Sequence, residues 1–237
     1  MRCPILLIVL VLAWHGANAQ GQACPPTPQR DALRQIAQCL AGQDCRGRSV
    51  VTRENLGPGC EGEIEVWAWN AARSAVAIRD RKMCLSRRRA DPTAGFVHGL
   101  LIPLGPACGV EDPALTAPDA LLRPFWVDAW NAARTRLGED EIVLVINPPT
   151  LRSLTHLHVH IMRGNDTPFP AGEALMLDDL GDVWRQAARF AAGRPAMAGG
   201  NYGIAVRKQG TRFAMLVEAG APANLRNPEQ KYAVDED

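Results

Sequence analysis

The segment LTHLHVHIMR, residues 154–163, alternates histidine with an aliphatic residue over its middle six positions. The chain has five histidines, and three of them lie here: His156, His158 and His160. Because successive side chains of a β-strand point to opposite faces, a strand would place the three imidazoles on one face and Leu157, Val159 and Ile161 on the other. A shift of one residue would exchange the two faces, so burial of the aliphatic side fixes the register. The segment therefore predicts a half-buried strand with one imidazole-lined face.

Imidazole side chains in a row suit group transfer at phosphorus. A neutral imidazole is a nucleophile, and a neighbouring imidazole can hold a proton for a phosphate oxygen or a leaving group. Such reactions depend mainly on positioning and on stabilisation of charge. Two other interpretations are open, namely polar side chains facing solvent and a zinc site. The outer imidazoles would stand about 13 Å apart at Cα, so zinc would need a ligand from elsewhere, for example His98.

Apolar periodicity divides the rest of the chain into helices and strands that do not alternate regularly. Helical spacing occurs in residues 30–42, 122–137 and 178–192, and Gly138 is expected to close the second helix. Strand-like runs occur in residues 64–69, 75–78, 96–106, 141–149 and 201–220. The first two runs are expected to form a hairpin, and the last is expected to turn at Gln209–Gly210. This order predicts an α+β fold with a largely antiparallel sheet and flanking helices.

The N-terminus has the pattern of a secretory signal peptide. Arg2 precedes an apolar run from Ile5 to Trp14, and the small residues Ala17 and Ala19 follow. The apolar run is about half of the ~20 residues that span a bilayer. We therefore expect a signal peptide over residues 1–19, with an uncut N-terminal anchor as the alternative. No linker or repeat interrupts residues 20–237, which are expected to form a single catalytic domain with a disulfide-stapled N-terminal region.

Export would place the cysteines in an oxidising compartment, where an even number favours disulfides. Cys3 would leave with the signal peptide, and six cysteines remain: Cys24, Cys39, Cys45, Cys60, Cys84 and Cys108. No C-x-x-C pair occurs, which disfavours a redox motif or a zinc knuckle. We expect Cys84 to pair with Cys108 and the other four cysteines to staple the N-terminal region.

The charge of the chain disfavours a nucleic-acid partner. The chain carries 26 Lys and Arg against 25 Asp and Glu, so no global positive field attracts nucleic acid. One local run, RDRKMCLSRRR at residues 79–89, is basic. It is either a solvated charged surface or a contact for anionic phosphates or a lipid surface.

The three histidines also carry a resemblance to a known superfamily. Residues 156–162, HLHVHIM, match the pattern His-φ-His-φ-His-φ-φ, with φ apolar, of the histidine-triad nucleotide hydrolases and transferases. HGLLIP at residues 98–103 resembles the strand whose histidine faces the nucleotide phosphates, and Asn147 stands nine residues before His156. Residues 60–232 are similar to the bacterial CDP-diacylglycerol pyrophosphatases. That similarity rests on the order LLIP, GVEDPAL, FWVDAWNAAR, a strand ending in IN, HLHVHI, NYGIAVRK, FAMLVEAG and NLRNPEQ.

The resemblance implies a histidine-triad-like fold and hydrolysis of CDP-diacylglycerol to CMP and phosphatidate. It implies that His158 attacks the α-phosphorus and forms a nucleotidyl-histidine intermediate that water then cleaves. His160 would bond to a phosphate oxygen or to the departing phosphate, and His156 would fix the strand and the tautomer of His158. His98 and Asn147 would line the phosphate pocket. No metal or other cofactor is required.

The implied substrate also indicates where the protein works. A diacylglycerol tail stays in the bilayer, so we expect action at a membrane surface, in the periplasm or on the periplasmic face of the inner membrane. Peripheral contact is expected near Arg87, Arg88 and Arg89, because no long apolar segment follows residue 20. Two other functions are kept open: a histidine-triad hydrolase of soluble dinucleotides or nucleotide sugars, and a non-enzymatic periplasmic metal-binding protein.

Overall fold

The computed structural model describes residues 31–42, 49–51, 63–80, 97–112, 115, 122–152, 154–170, 172–220 and 228–234. Its strands are β1 Ser49–Val51, β2 Glu63–Trp69, β3 Ala75–Arg79, β4 His98–Pro103, β5 Ile142–Ile146, β6 Val159–Arg163, β7 Leu175–Leu177, β8 Tyr202–Gln209 and β9 Arg212–Ala219. Its α-helices are α1 Asp31–Leu40, α2 Phe125–Ala133, α3 Val183–Ala191 and α4 Pro228–Tyr232. Short 3₁₀ turns occupy Glu139–Glu141, Leu180–Asp182 and Pro195–Gly200.

The strands form one sheet in the order β1-β2-β3-β4-β6-β5-β8-β9-β7. The β1–β2 pair is parallel and every other neighbouring pair is antiparallel. The α+β class and the largely antiparallel sheet are therefore confirmed. Strands β2 and β3 form the predicted hairpin, and β8 and β9 form the second one. The latter turns at Gly210, whose φ of +62° lies in the left-handed region that glycine enters without steric cost.

Helix α2 is shorter than its apolar pattern predicts. It begins after Pro124, whose ring fixes φ and suits the start of a helix rather than its interior. It ends at Ala133, before the expected stop at Gly138. The Thr135 backbone N–H and its hydroxyl both donate to the carbonyl of Ala132, at 3.2 and 2.7 Å. These bonds tighten the last turn, which leaves the α-helical geometry.

The two faces of the sheet are covered differently. One face carries the large core, to which helices α2 and α3 contribute Trp126, Trp130 and Trp184. The opposite face carries two smaller apolar clusters. The α1 cluster consists of Leu33, Ala37, Cys39, Ile64, Val76, Ile78, Leu100 and Ile102. The α4 cluster consists of Val143, Val145, Met162, Ala205, Leu216, Tyr232 and Ala233.

Strand β6 lies at the boundary between the two small clusters. It pairs with β4 on one side and β5 on the other, so that His160 stands opposite both Leu100 and Val145. Residues directly opposite in a sheet point to the same face. His160 therefore lies between the α1 and α4 clusters, on the face away from the large core, and this register positions the site.

Several predictions fall outside the described residues. They are the signal peptide of residues 1–19, most of the basic run, including Arg87–Arg89, and Cys24, Cys45, Cys60 and Cys84. The pairing of the cysteines stays a prediction, and Cys39 and Cys108 are both buried. Arg79, the first residue of the basic run, does not belong to a charged surface: it is buried at the end of β3, with its Nε 2.9 Å from a carboxylate oxygen of Glu65. Within the described ranges, no helix combines the length and the hydropathy that crossing a bilayer requires.

Candidate active site

The histidine segment is only partly a strand. Strand β6 starts at Val159, so His160 lies within it while His156 and His158 precede it in a loop that bends at His156. The prediction of a strand through all three histidines is therefore wrong for its first half. The reason lies in the hydrogen bonding, since the backbone N–H of Leu157 donates to the carbonyl of Ala107 instead of joining a ladder. The alternation itself holds, because Leu157, Val159 and Ile161 all enter the large core.

The imidazoles of the three histidines are buried. Their relative exposures are 3% for His156, 6% for His158 and 6% for His160, which excludes the interpretation of polar side chains facing solvent. A buried polar group needs a hydrogen-bond partner. The partners of each imidazole nitrogen therefore show what that nitrogen is able to do.

His158 is held as a neutral imidazole with its proton on a known nitrogen. Its Nδ1 lies 2.7 Å from the carbonyl oxygen of His156, and because a carbonyl only accepts, Nδ1 must donate. The neutral ring then keeps a lone pair on Nε2. Burial, with smaller contributions from the charges of His160 and Arg152, lowers the pKa of His158 to about 3. His158 is thus an uncharged potential nucleophile at any physiological pH.

His156 acts as an anchor in the same loop. Its Nε2 donates to the carbonyl of Pro103 at 2.8 Å, which ties the loop to the end of β4. Burial lowers the pKa of His156 and keeps the ring neutral. The tautomer of His158 is set by the main-chain carbonyl of His156, while the imidazole of His156 fixes the loop.

His160 connects His158 with the other two residues singled out from the sequence. Its ring packs edge-on against that of His158, with centroids 4.8 Å apart. Its Nδ1 lies 2.9 Å from Nε2 of His98, and its Nε2 lies 3.3 Å from Nδ2 of Asn147. His98 reaches this position because β4 pairs it with Met162, and Asn147 because it directly follows β5. The structure thus brings His98, Asn147, His158 and His160 into one cluster.

Two carboxylates that the sequence did not single out also belong to the cluster. Glu229 of helix α4 accepts a hydrogen bond from Asn147 Nδ2 at 2.7 Å. Asp80, directly after β3, places a carboxylate oxygen 3.4 Å from Nε2 of His98. Asp80 lies within the basic run, and Glu229 lies within the segment NLRNPEQ at residues 224–230. No local pattern marks either residue, since their partners lie far away in the chain.

A buried arginine adds positive charge near His158. Arg152 lies in the loop after β5, pairs with Glu111, and is close enough to contribute to the lowered pKa of His158. Gly109 leaves room for the guanidinium, since a Cβ at that position would come within 1.5 Å of Nη1 of Arg152. The Nε of Arg152 is buried and has no hydrogen-bond partner within the described part of the chain. A phosphate oxygen is a suitable acceptor for such a donor.

A cavity of about 550 Å³ adjoins this ion pair. Glu111 forms part of its wall, together with Val110, Met197, Gly200 and Tyr202. Gly200 is necessary for this wall, because a Cβ there would come within 2.4 Å of Cα of Glu111. The clustered residues His98, Asn147, His158 and His160 are not part of this wall, and the cavity is connected to Arg152 through Glu111.

The cluster also contains atoms able to hold a metal ion. One nitrogen each from His98 and His160 and a carboxylate oxygen of Asp80 lie within 4.8 Å of one another. Two imidazoles and a carboxylate form a donor set that Zn²⁺ accepts. Of the three histidines in residues 156–160, only His160 takes part in this set, and His98 supplies the second imidazole.

The fold and the site together define an α+β protein with a buried imidazole cluster suited to group transfer at phosphorus. Comparison with known proteins agrees with a site for group transfer at phosphorus. A family model described as CDP-diacylglycerol pyrophosphatase matches residues 80–165. CDP-diacylglycerol pyrophosphatases from Mycobacterium bovis and Mycobacterium tuberculosis are each 39% identical over 75 residues.

These matches cover part of the chain. The aligned residues amount to 29% of this chain and 28% of each relative, so the similarity spans less than a third of the relatives' own length. The matched family segment, residues 80–165, contains Asp80, His98, Asn147, Arg152 and the three histidines, whereas Glu229 lies beyond it. The resemblance to CDP-diacylglycerol pyrophosphatases predicted from the sequence is thereby confirmed for residues 80–165, and for the rest of residues 60–232 it stays a prediction.

Proposed function

We propose that this protein hydrolyses CDP-diacylglycerol to CMP and phosphatidate, on a fold of the histidine-triad type. The observation that carries the proposal is the state of His158, a neutral imidazole whose Nδ1–H is tied to a carbonyl while Nε2 keeps its lone pair. The neighbouring His160, His98 and Asn147 supply the polar surroundings that a phosphate needs. The similarity to CDP-diacylglycerol pyrophosphatases supports the choice of substrate.

In the first step, Nε2 of His158 attacks the α-phosphorus of the nucleotide. A nitrogen–phosphorus bond forms, and the anhydride bond breaks, with its electron pair leaving on the phosphatidate oxygen. The product on the enzyme is a cytidylyl-histidine whose positive ring keeps its Nδ1–H bond to the His156 carbonyl. The nearby guanidinium of Arg152 offsets the charge that develops on the departing phosphate, beside the imidazole of His160.

In the second step, water attacks the same phosphorus. The nitrogen–phosphorus bond breaks and its electron pair returns to Nε2 of His158, while the proton of the water passes to the adjoining imidazole of His160. CMP leaves, His160 releases this proton to the solvent, and the enzyme is restored. Neither step requires a metal ion or another cofactor.

The proposal includes a site of action at a membrane surface outside the cytoplasm. The signal-like N-terminus supports export, and the lipid tail of the substrate requires contact with a bilayer. Cell fractionation of the tagged protein tests the location. Recovery in the cytosolic fraction with residues 1–19 intact would contradict it.

The decisive experiment measures CMP release from CDP-diacylglycerol in detergent micelles, with and without EDTA, by the wild type and by His158→Ala. The wild type is expected to turn over in EDTA, and the variant to be inactive while its circular dichroism spectrum is unchanged. Acid quenching of the wild type should trap a nucleotide on the peptide that contains His158. Retention of more than about a tenth of the wild-type rate by His158→Ala would contradict its role as nucleophile. Cleavage of soluble dinucleotides or nucleotide sugars alone would point to the other hydrolase hypothesis.

A second candidate function is metal binding, favoured by the grouping of Asp80, His98 and His160. Calorimetric titration with Zn²⁺ tests it, with His98→Ala as the matched variant. Tight stoichiometric binding that is lost in the variant, together with no CMP release under any condition, would favour this function over hydrolysis.

A further inference from the structure

The C-terminal helix α4 brings a carboxylate into the histidine cluster. Glu229 is 6% exposed, and its two oxygens lie 3.6 Å from Nε2 of His98 and 3.6 Å from Nε2 of His160. Its closest contact is the hydrogen bond from Asn147 Nδ2, at 2.7 Å across 82 residues of sequence. Burial of a carboxylate is costly unless it is hydrogen-bonded, so the hydrogen bond from Asn147 stabilises Glu229 in its buried position.

Helix α4 is held firmly in this position. The hydroxyl of Tyr232 and Nζ of Lys231 both donate to Glu218 of β9, at 3.1 and 2.9 Å. The side chain of Asn165 donates to the carbonyls of Lys231 and Ala233, at 2.9 and 2.8 Å. These contacts anchor the end of the helix away from the histidines, so Glu229 is preorganised toward the cluster.

The carboxylate of Glu229 determines which way the Asn147 amide points. An ionised carboxylate only accepts hydrogen bonds, so the amide must turn its Nδ2 toward Glu229. The same Nδ2 lies 3.3 Å from Nε2 of His160, and a second N–H of the amide is available on that side. Asn147 Oδ1 is consequently directed elsewhere, where it is buried and has no hydrogen-bond partner among the described residues. Asn147 thus stands as a bridge between the carboxylate and the imidazole.

We propose that Glu229 is a positioning residue for the reaction, acting through Asn147 on His160. This inference rests on the proposed function of the same site. Glu229 itself contacts neither the reacting phosphorus nor the nucleophile; it holds the amide that orients the imidazole beside His158. Because the orientation of His160 matters most when charge moves onto the phosphate, loss of Glu229 acts on kcat rather than on KM.

The inference is tested with Glu229→Gln in the full-length protein, measuring CMP release from CDP-diacylglycerol. Glutamine keeps the size of the side chain but offers an oxygen or an NH₂ group to Asn147, so the orientation of the amide is no longer selected. The expected fall in kcat is about tenfold, the order expected for losing a hydrogen bond to a charged group, with KM unchanged within about threefold. Glu229→Asp, which still only accepts, should retain more activity than Glu229→Gln. A rise in KM at unchanged kcat, or an aspartate variant no better than glutamine, would overturn the inference.

Two further variants separate positioning from support of the fold. Glu218→Gln weakens one anchor of α4 without touching the histidines, while Asn165 keeps its hydrogen bonds to the carbonyls of Lys231 and Ala233, so kcat should stay within about twofold. In an Asn147→Ala background, Glu229→Gln should cost less than about threefold more, because residues that act through one another are not additive. An effect of Glu218→Gln as large as that of Glu229→Gln, or fully additive losses, would overturn the inference. If the wild type releases no CMP, the proposed function fails; if it does and Glu229→Gln matches it, only the role of Glu229 fails.

Discussion

The neutral state of His158 predicts how the stability of the protein depends on pH. The unfolded imidazole takes up a proton as the pH falls through its ordinary pKa of 6.5, while burial holds the folded pKa near 3. Between these two values the unfolded state binds one more proton than the folded state. The free energy of unfolding therefore has its full value above pH 6.5 and declines as the pH falls toward 3.

The size of this contribution follows from the two pKa values. Each pH unit within the window corresponds to about 1.4 kcal/mol, and the effect of His158 alone between pH 6 and pH 4 integrates to about 2.5 kcal/mol. The matched variant is His158→Asn, whose Nδ2 is placed to donate to the same carbonyl of His156 but does not titrate. All other ionisable groups are shared by the two proteins, so the difference between their pH dependences isolates His158.

The assay is urea unfolding of both proteins at pH 6, 5 and 4, with any disulfides left intact, extrapolated linearly to water. The wild type should lose about 2.5 kcal/mol more than His158→Asn between the highest and the lowest pH. Equal losses would show that folded His158 takes up its proton as readily as the unfolded chain does. The ring would then be cationic in mildly acidic solution, and the reasoning that makes it a buried neutral nucleophile would be refuted.

Two further outcomes are expected from substitutions elsewhere. Gly109→Ala forces the Arg152 guanidinium to move and should lower kcat for CMP release by about tenfold, because a lost charge-assisted contact is of that order. The control Gly105→Ala, which has nothing within 4 Å of its added Cβ, should keep the wild-type kcat. Equal rates for the two variants would show that Arg152 takes no part in the reaction. Trp126→Ala should lower the free energy of unfolding by about 3–5 kcal/mol because the side chain is fully buried. Met176, whose relative exposure is 36%, should contribute far less, so similar losses for Trp126→Ala and Met176→Ala in denaturant titrations would contradict the assigned core.

Local patterns were sufficient for most of the architecture. The alternation of Leu157, Val159 and Ile161 with histidine identified the face that enters the large core, because side-chain direction in extended chain depends only on sequence position. The hairpin of β8 and β9 and the amphipathic helix α1 followed from the same kind of periodicity. The ends of the helices and strands were harder to predict from the sequence. The end of α2, for example, depends on the hydroxyl of Thr135, which competes for a backbone carbonyl.

The sequence by itself determined that three imidazoles lie on the side of the chain opposite an apolar core, and its resemblance to a known family singled out His98 and Asn147. Only the tertiary structure decided what surrounds them. Strand order β4-β6-β5 sets His98 against His160, and the return of the chain in α4 adds Glu229 from 82 residues beyond Asn147. Such contacts leave no periodic trace, because a hydrogen bond depends on the positions of two atoms in space and not on the spacing of their residues along the chain.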